Sequence, residues 1–395
     1  MARSKLYDFV RKYFRKFYRF ATLKVMYPTL YRQNSKEAVD PTKVLFIEIR
    51  MPEITDSFKL MYDKLKAEGG YTIHEHYLRM DFVNKLQYTR NCRKMIKDIA
   101  TAKYVFVNDA SDVLACLPMR KETVVTQLWH ACGAFKKFGR STADLIFGGD
   151  RRTQEKYPFH GNYTNVTVSA PEVAWAYEEA MGLPEGVAKP VGISRTDVFF
   201  DDEFKKKAYK RFYKEFPEAK GKKVILYAPT FRGRVAAAKT PNVLSVPLMH
   251  HVFKDEYVLV FKHHPFVKKR PEIAERYSKF AKDMTDTMNI EDLLIVSDIC
   301  ISDYSSLVFE YSLMRKPMIF LAHDLDTYYD WRGFYYDYRE FVPGPIFSNV
   351  DEVVDYIEHI DERFDVSVVD NFRDKYMSSC DGHCTEKIYD MVFGD

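Results

Sequence analysis

Four short polar clusters in this 395-residue chain each follow an apolar run and carry side chains suited to binding phosphate. Each apolar run is short enough to form a buried strand, so each cluster falls at the carboxyl end of a predicted strand. Ligands of doubly wound α/β sheets bind beyond those ends, so several clusters there indicate one site. Cations, imidazoles and hydroxyls suit a phosphate-bearing substrate, whose reactions depend on positioning and charge stabilisation. The clusters are Trp129 and His130 with Gly133 and Lys136; Thr230 with Arg232; Lys262, His263 and His264; and Asp303 with Ser305 and Ser306.

The stretch 294–321 predicts a strand within 294–301, a turn, a helix and a second strand. Apolar residues at helical spacing over 307–314 indicate one buried helical face. Asp303, Ser305 and Ser306 stand where this helix begins, and short oxygen-bearing side chains there accept hydrogen bonds from free backbone N–H groups. The same N–H groups and the helix dipole favour a bound phosphate. Taken alone, the pattern also fits an ordinary capped helix in a parallel sheet.

Strands alternate with helices along the chain, which predicts parallel sheets covered by helices on both sides. The length suits two domains, so we expect an α/β protein with two doubly wound, Rossmann-like halves and a cleft between them. A charged helix at 202–216 marks the crossing between the halves. The expected divisions are a surface helix (1–33), a first domain (34–200), a second domain (201–375) and a C-terminal helix (376–395) that could cross back to the first domain. The predicted strands are 43–49, 104–108, 124–130 and 163–169 in the first half, and 223–228 and 257–261 in the second; further helices are predicted at 56–68, 172–181, 351–360 and 371–391.

The first 33 residues form a basic segment whose charge, +8, exceeds the net charge of +4 of the whole chain. Aromatic residues recur there at helical spacing between the cations, which predicts an amphipathic helix. Such a helix can lie on an anionic membrane surface with its rings at the acyl boundary. Packing of these rings on the body and a nucleic-acid-binding arm are the alternatives; so many Phe residues disfavour the arm. The proposed membrane contacts are Phe9, Tyr13, Phe14 and Phe17, with Lys12, Arg15, Lys16 and Arg19.

Composition excludes several classes of protein. Six cysteines show no disulfide spacing, so we expect reduced thiols. Cys380, His383 and Cys384 have no second ligand pair to complete a zinc site, so we expect no metal. No apolar run reaches the length of a membrane span, and the sequence shows no apolar signal-peptide core followed by a cleavage site. We therefore expect a cytoplasmic protein.

Several of these pieces match a known family when they are taken together. They are Gln127–Gly139 (QLWHACGAFKKFG), Tyr227–Arg232 (YAPTFR), Phe261–His264 (FKHH), Ser302–Ser306 (SDYSS), and Arg332–Asp337 (RGFYYD) followed by Pro343-Gly-Pro345. With this order and spacing, the chain resembles the CDP-glycerol glycerophosphotransferases of teichoic acid synthesis over nearly its whole length. Its Trp-His-Ala-Cys-Gly form resembles the short, primase-like members more than the polymerases, which carry His-Gly-Thr-Pro.

The resemblance implies a GT-B fold, with the acceptor-binding half first and the CDP-donor-binding half second. A hydroxyl group of a membrane-bound polyprenyl-diphosphate disaccharide would attack the glycerol-linked phosphorus of CDP-glycerol and release CMP at the cytoplasmic face of the membrane. His130 matches the family's proposed general base, a role that suits an imidazole. His264 matches a second essential histidine that would bond the diphosphate. His263 occupies a variable position in the family pattern, and Ser305 and Ser306 would hold the diphosphate.

The resemblance also suggests further contacts. Glu310 could bond the ribose or be a plain surface carboxylate. The aromatic segment 328–347 could close over the cytidine or fill the space between the domains. Asp324 and Asp326 form an Asp-x-Asp pair, but a GT-B enzyme needs no metal there, so we expect neither metal nor cofactor. Candidate donor contacts are Thr230, Arg232, Lys262, His263, Asp303, Ser305, Ser306, Glu310 and Arg332; candidate acceptor-side residues are Trp129, Gly133 and Lys136.

Two other readings stay open. The donor could carry ribitol phosphate or a nucleoside-diphosphate sugar, because the groups that would read the polyol are not identifiable from the sequence. The chain could also be a non-catalytic adaptor on a membrane surface that kept the fold. The presence of both His130 and His264 disfavours an adaptor.

Overall fold

The computed structural model describes residues 5–146, 148–233 and 237–394, without the side chains of residues 5, 6, 8, 9 and 329–332. The fold consists of two six-stranded parallel sheets, one in each half of the chain. This confirms the predicted α/β fold of two Rossmann-like domains. The side chains of Phe9 and Arg332, both predicted to bind, lie outside the described residues.

The first sheet has the strand order β2-β1-β3-β4-β5-β6, so the chain reverses direction across the sheet between β1 and β3. The prediction found four of these strands and missed the edge strands β2 and β6, which carry fewer apolar residues. The strands are β1 (Asp40–Glu48), β2 (Thr72–Tyr77), β3 (Ala102–Val107), β4 (Val124–Gln127), β5 (Asn165–Thr167) and β6 (Ala188–Lys189).

The second sheet has the order β12-β11-β10-β7-β8-β9, with its reversal between β7 and β10. Open α/β sheets bind ligands at such a reversal, outside the carboxyl ends of the strands. Two of the polar clusters, those after β7 and β10, therefore flank the expected position. The strands are β7 (Lys223–Tyr227), β8 (Tyr257–Phe261), β9 (Ala281–Asp283), β10 (Ile299–Ser302), β11 (Met318–Leu321) and β12 (Ile346–Phe347).

Helices cover both faces of each sheet. The helices of the first half are α1 (Lys5–Phe20), α2 (Tyr27–Asn34), α3 (Asp56–Glu68), α4 (Lys85–Ile99), α5 (Asp112–Ala115), α6 (Arg151–Lys156) and α7 (Ala174–Met181). Those that follow are α8 (Asp202–Glu215), α9 (Val246–Phe253), α10 (Ile290–Val296), α11 (Leu307–Ser312), α12 (Leu325–Arg332), α13 (Tyr338–Phe341), α14 (Val350–Glu358), α15 (Ile360–Arg363), α16 (Val366–Tyr376) and α17 (Cys384–Phe393).

Two secondary-structure predictions were wrong. Residues 294–296 belong to helix α10, not to a strand; every residue from Glu291 to Val296 is buried, so no polar face marked the helical period. A short apolar run does not distinguish a buried helix from a buried strand. The single helix predicted at 371–391 is two helices, α16 and α17, separated at residues 377–383.

The N-terminal segment divides into an exposed part and a buried part. On α1, Tyr13, Phe14 and Phe17 are 64–68% exposed. A π-helical turn, Ala21–Met26, then leads into α2, whose Tyr27 and Tyr31 are buried in the first domain's core. The predicted surface helix of residues 1–33 therefore ends near Phe20. None of the helices within the described residues is at once long and apolar enough to cross a membrane.

The C-terminal helix returns to the first domain. Ile388 and Val392 of α17 are buried against Phe46 of β1 and Phe58 of α3. Asp197 accepts hydrogen bonds from the backbone N–H groups of residues 384 and 385 at the start of α17 (2.9 and 2.8 Å). The last helix thus ties the second half of the chain back onto the first.

A buried charge cluster joins the two domains. Arg195, in the 3-10 segment Ser194–Phe199 of the first domain, pairs with Glu291 of α10 (3.0 Å) and with Glu310 of α11. The three side chains are 15%, 9% and 5% exposed. Removing one partner of such a cluster leaves the others buried without a counter-charge. Arg195 therefore fixes how the second domain sits on the first.

Arg195→Ala should lower the free energy of unfolding by about 3 kcal/mol or more, because two buried carboxylates lose their counter-charge. Urea denaturation followed by circular dichroism measures this change. The matched control is Arg363→Ala, which removes an exposed pair with Asp355 (2.7 Å) and should cost little. Equal losses in the two variants would contradict an anchoring role for Arg195.

Candidate active site

The chain makes a strained turn directly after β4. Trp129 has a φ of +56°, a left-handed conformation that is costly for a bulky residue. The side chain of buried Gln127 holds the turn: its Oε1 accepts from the backbone N–H of Trp129 (2.9 Å), and its Nε2 donates to the carbonyl of Asp109 and the hydroxyl of Tyr163 (both 3.2 Å). The turn directs His130 away from the sheet. Such strain is found at functional sites, where the surroundings impose it.

His130 is exposed and has a defined tautomer. Its Nδ1 lies 3.0 Å from the carbonyl oxygen of Asn108, at the end of β3. A carbonyl only accepts, so Nδ1 carries the proton and Nε2 keeps its lone pair. The ring also stacks on buried Trp129, with 4.2 Å between ring centroids. His130 therefore presents a basic nitrogen to solvent, and Trp129 supports the ring.

Gly133 packs between the domains. Its φ is +61°, and a Cβ at this position would overlap the ring of Phe309 on α11. Its N–H donates to Ser169 (3.1 Å) and its carbonyl accepts from Tyr177 (2.9 Å). The glycine therefore permits a close approach of the two domains, and its acceptor-side role stays a prediction.

The loop that carries His130 continues into a backbone bridge to the second domain. Lys136 pairs with Phe334 in antiparallel fashion, and the N–H of Lys137 donates to the carbonyl of Gly333 (3.1 Å). The ammonium of Lys136 lies 3.4 Å from the hydroxyl of Tyr328. Lys136 therefore places a positive charge from the first domain at the donor half of the cleft.

His264 has the opposite tautomer to His130. Its Nδ1 accepts a hydrogen bond from the backbone N–H of Phe266 (3.2 Å), so in the neutral ring Nε2 carries the proton. Burial, assisted by the positive charge of Lys136, lowers the pKa of His264 to about 4. The ring packs between Phe231 and Phe266, with centroids at 4.8 and 4.6 Å. At neutral pH His264 is thus an uncharged hydrogen-bond donor.

The two histidines are linked by one segment of chain. His130 and Lys136 lie on the same loop, and the charge of Lys136 acts on His264. Both histidines follow the carboxyl end of a strand, β4 in one sheet and β8 in the other. The loop that carries His130 therefore extends far enough toward the second domain for its Lys136 to act on His264.

Arg232 does not provide a free cation. Its guanidinium forms two hydrogen bonds to Asp324 (2.7 and 2.9 Å) and pairs with Asp303 (2.9 Å). Asp303 is buried and also accepts from the N–H of Thr230 (2.8 Å). Arg232, Asp303 and the backbone of Thr230, which were predicted to contact the CDP donor, therefore bond to one another or to Asp324. These bonds join the loops after β7 and β10, and the carboxylate of Asp324, from the Asp-x-Asp pair, accepts from Arg232.

Lys262 and His263, just beyond the end of β8, are also engaged within the second domain. The ammonium of Lys262 donates to the carbonyls of Thr285 (2.9 Å) and Met288 (2.5 Å). His263 is buried, and its Nδ1 lies 3.0 Å from the hydroxyl of Thr240. Their contacts with the donor stay predictions.

At the start of α11, just beyond β10, Ser305 and Ser306 are half-buried. The hydroxyl of Ser305 accepts only a long bond from the N–H of Leu307 (3.4 Å), and Ser306 makes no capping bond through its side chain. Glu310 is not a surface carboxylate, because it is buried on Arg195; its contact with the ribose stays a prediction. The two serines remain the candidates for holding a phosphate on the donor side.

Sequence reasoning missed residues that act through the backbone or across the interface. Asn108 orients His130 through its carbonyl, which no side-chain pattern reveals. Arg195 stands in a turn-rich passage with no signal of its interdomain partners. The Asp-x-Asp pattern marks Asp324 only as a possible metal ligand and does not reveal its bonds to Arg232. Within the described residues, no group of three or more His, Cys, Asp or Glu is arranged to hold a metal ion, and the six cysteines are free.

Known proteins that are similar to this chain point to one family. Residues 29–394 match the family model described as CDP-Glycerol:Poly(glycerophosphate) glycerophosphotransferase. The chain is 36% identical to the teichoic acid ribitol-phosphate primase of Bacillus spizizenii, over 90% of this chain and 91% of the primase. It is 35% identical to the teichoic acid poly(ribitol-phosphate) polymerase of the same organism, over 90% of this chain, and it spans only 56% of that polymerase.

The fold matches a solved structure over almost its full length. The wall teichoic acid polymerase TagF, solved as a histidine-to-asparagine variant, superposes with a TM-score of 0.77 and 20% identity, covering 99% of this chain and 98% of that one. At this identity the match supports the two-domain GT-B-like fold alone. The family model spans most of the chain. The chain therefore belongs to the CDP-glycerol:poly(glycerophosphate) glycerophosphotransferase family of teichoic acid synthesis.

Proposed function

We propose that this chain transfers a polyol phosphate from a CDP-polyol to a hydroxyl group of a lipid-linked acceptor, with CMP as the leaving group. The observation that carries the proposal is the pair of histidines with opposite tautomers. His130 exposes a nitrogen that can accept a proton, and His264 exposes one that can donate a hydrogen bond. One reaction that uses both is attack of a hydroxyl on a diphosphate.

His130 acts as general base in this reaction. Its Nε2 takes the proton of the acceptor hydroxyl while that oxygen attacks the polyol-linked phosphorus. A bond forms between this oxygen and phosphorus, and the bond from phosphorus to the bridging oxygen breaks. The bridging oxygen leaves with its electron pair as the phosphate of CMP. The hydrogen bond from Nδ1 to Asn108 keeps Nε2 available for the proton.

His264, Ser305 and Ser306 hold the diphosphate. The Nε2–H of His264 donates to a phosphate oxygen, and the serine hydroxyls supply further donors from the start of α11. Lys136 contributes positive charge from the opposite domain, since two described cations of the donor domain, Arg232 and Lys262, are engaged elsewhere. Positioned donors aimed at developing negative charge are the main source of catalysis in phosphoryl transfer.

The identity of the polyol in the donor is a more specific question than the type of reaction. Motif resemblance alone predicts CDP-glycerol as the donor. The relatives that align over 90% of this chain carry ribitol phosphate in their names, one of them at matched length. We therefore take CDP-ribitol as the first candidate and CDP-glycerol as the second. A nucleoside-diphosphate sugar finds no support among these relatives, and a non-catalytic adaptor would not need the two tautomers.

The proposed acceptor is a polyprenyl-diphosphate disaccharide, with or without polyol phosphate already attached, held at the cytoplasmic face of the membrane. Helix α1 is the proposed contact with an anionic membrane surface. Tyr13, Phe14 and Phe17 are exposed on it, as are Lys12, Arg15 and Lys16. Arg19 is different: its guanidinium lies over the ring of Tyr157 (4.6 Å), so it anchors α1 to the body. We propose no nucleic-acid partner for this helix or for the rest of the chain.

His130→Ala should abolish transfer while leaving donor binding intact, because the exposed base is lost and the donor half is untouched. Wild type and variant are each incubated with CDP-ribitol, CDP-glycerol or a UDP-sugar and a disaccharide-diphosphate lipid, and the products are weighed by mass spectrometry. Titration calorimetry measures donor affinity. We expect a ribitol phosphate mass increment in the wild-type product alone. A fully active variant would remove His130 as the base, and a sugar increment would remove the proposed reaction.

His264 should titrate near pH 4 in the free enzyme, well below the ordinary histidine value of about 6.5. Its neutral form therefore persists across pH 5–8. Lys136→Met should raise this pKa, because it removes a positive charge that opposes protonation. Nuclear magnetic resonance of the imidazole Cε1–H measures both values, with Lys137→Met as the control that should leave the pKa unchanged. Titration of wild-type His264 near 6.5 would contradict its burial.

Replacing Tyr13, Phe14 and Phe17 together by Ser should reduce binding to phosphatidylglycerol vesicles by at least about tenfold, because burial of one such ring is worth about 2 kcal/mol. Vesicle co-sedimentation at low and high salt measures the loss. Point substitutions are preferable to deleting residues 1–32, which would remove the buried Tyr27 and Tyr31. Val366→Ser with Val368→Ser, exposed on α16, is the control. Undiminished binding of the α1 variant would exclude α1 as the membrane contact.

A further inference from the structure

A cavity of about 220 Å³ opens in the first domain beside the loop that carries His130. Its walls are residues 139–142 and 148–149, helix α6, the segment 158–160 and the end of α7. Pockets that bury larger organic ligands measure about 300–1,000 Å³, so this one suits a single small group. The polar lining residues are Arg140, Thr142, Gln154 and His160, with Gly148 and Gly149 in the wall.

The cavity carries surplus positive charge. Its lining contains Arg140 and no carboxylate side chain. Among the described residues, the guanidinium of Arg140 has no ion-pair partner; it lies against Gly182, at the C-terminal end of α7. Gln154 and Thr142 add an amide and a hydroxyl. A small pocket with a guanidinium and neutral donors has the chemistry of a phosphate site.

The cavity also adjoins the proposed base. The ring of His160 lies 5.5 Å from that of Trp129, which stacks on His130 at 4.2 Å. Burial lowers the pKa of His160 to about 4; the carboxylate of Asp109 opposes this shift and the positive charge of Arg140 assists it. One aromatic ring therefore separates the floor of the cavity from the group that would take the acceptor's proton.

The rim of the cavity meets the N-terminal helix. Phe159 lines the cavity, and the guanidinium of Arg19 lies 5.6 Å from its ring centroid. Arg19 belongs to α1, the proposed membrane contact. The cavity therefore lies beside the helix that is proposed to contact the membrane.

We propose that this cavity binds a phosphate group of the acceptor, with Arg140 and Gln154 as its contacts, and so sets which acceptor is used. The inference rests on the proposed polyol-phosphate transfer. Two phosphates on such an acceptor share this chemistry: the diphosphate next to the lipid, and the phosphodiester of a polyol unit already attached. The size of the cavity suits one phosphate with its polyol better than a disaccharide.

The test compares two acceptors that differ only in one terminal glycerol phosphate. Arg140→Gln removes the cation, and Gln154→Glu introduces a repelling charge at a half-buried surface position. Each should raise the acceptor KM by about tenfold or more, with kcat within twofold, because a charge-assisted hydrogen bond is worth about 1.5–3 kcal/mol. Arg140→Lys should restore part of the affinity. Arg152→Gln, exposed on α6, is the control and should leave KM unchanged.

A rise in KM confined to the glycerol phosphate-bearing acceptor supports the terminal phosphodiester as occupant, and an equal rise for both supports the lipid diphosphate. Unchanged KM for both acceptors in both variants, or a fall in kcat alone, overturns the proposal. Titration calorimetry with sn-glycerol 3-phosphate gives a readout independent of turnover: wild type should bind it and Arg140→Gln should not. Absence of any transfer by the wild type, with this binding retained, would instead overturn the proposed function.

Discussion

The cleft depends on a buried charge cluster and a short shared stretch of backbone that hold the two domains together. Arg195 of the first domain neutralises Glu291 and Glu310 of the second. In addition, residues 135–137 of the first domain and residues 333–335 of the second exchange backbone hydrogen bonds in antiparallel fashion. A buried charge without its partner and a broken backbone pair are both costly. The two carboxyl edges therefore face each other in a fixed relation before any substrate binds.

Backbone groups, not carboxylates, set the tautomers of the two histidines. The carbonyl of Asn108 can only accept and the N–H of Phe266 can only donate, so neither partner titrates or changes role with pH. A carboxylate beside an imidazole would stabilise the imidazolium that forms when the base takes a proton. His130 has no such partner at Nδ1. In the proposed reaction the charged diphosphate next to it takes over that stabilisation, which ties the strength of the base to the presence of the donor.

The sequence predicted the architecture well because apolar runs and polar clusters at their ends follow directly from a parallel sheet. Which cluster members are engaged within the protein was less predictable. Lys262 bonds to the carbonyls of Thr285 and Met288, and His263 lies beside Thr240, but the sequence contains no record of the loops that bring these partners close. The burial of Glu310 was missed for a related reason: its partner Arg195 is distant in sequence, so no local pattern joins them.

The distribution of charge across the cleft has an electrostatic consequence. On the donor half, Arg232 is neutralised by two carboxylates, Lys262 is held by backbone carbonyls, and His264 is uncharged at neutral pH. Among the described residues, Lys136 of the acceptor half is the cation whose charge acts on His264. A diphosphate bound beside His264 would attract Lys136, which lies on the loop that carries His130. In the proposed reaction, donor binding is thereby coupled to the loop of the base through one side chain.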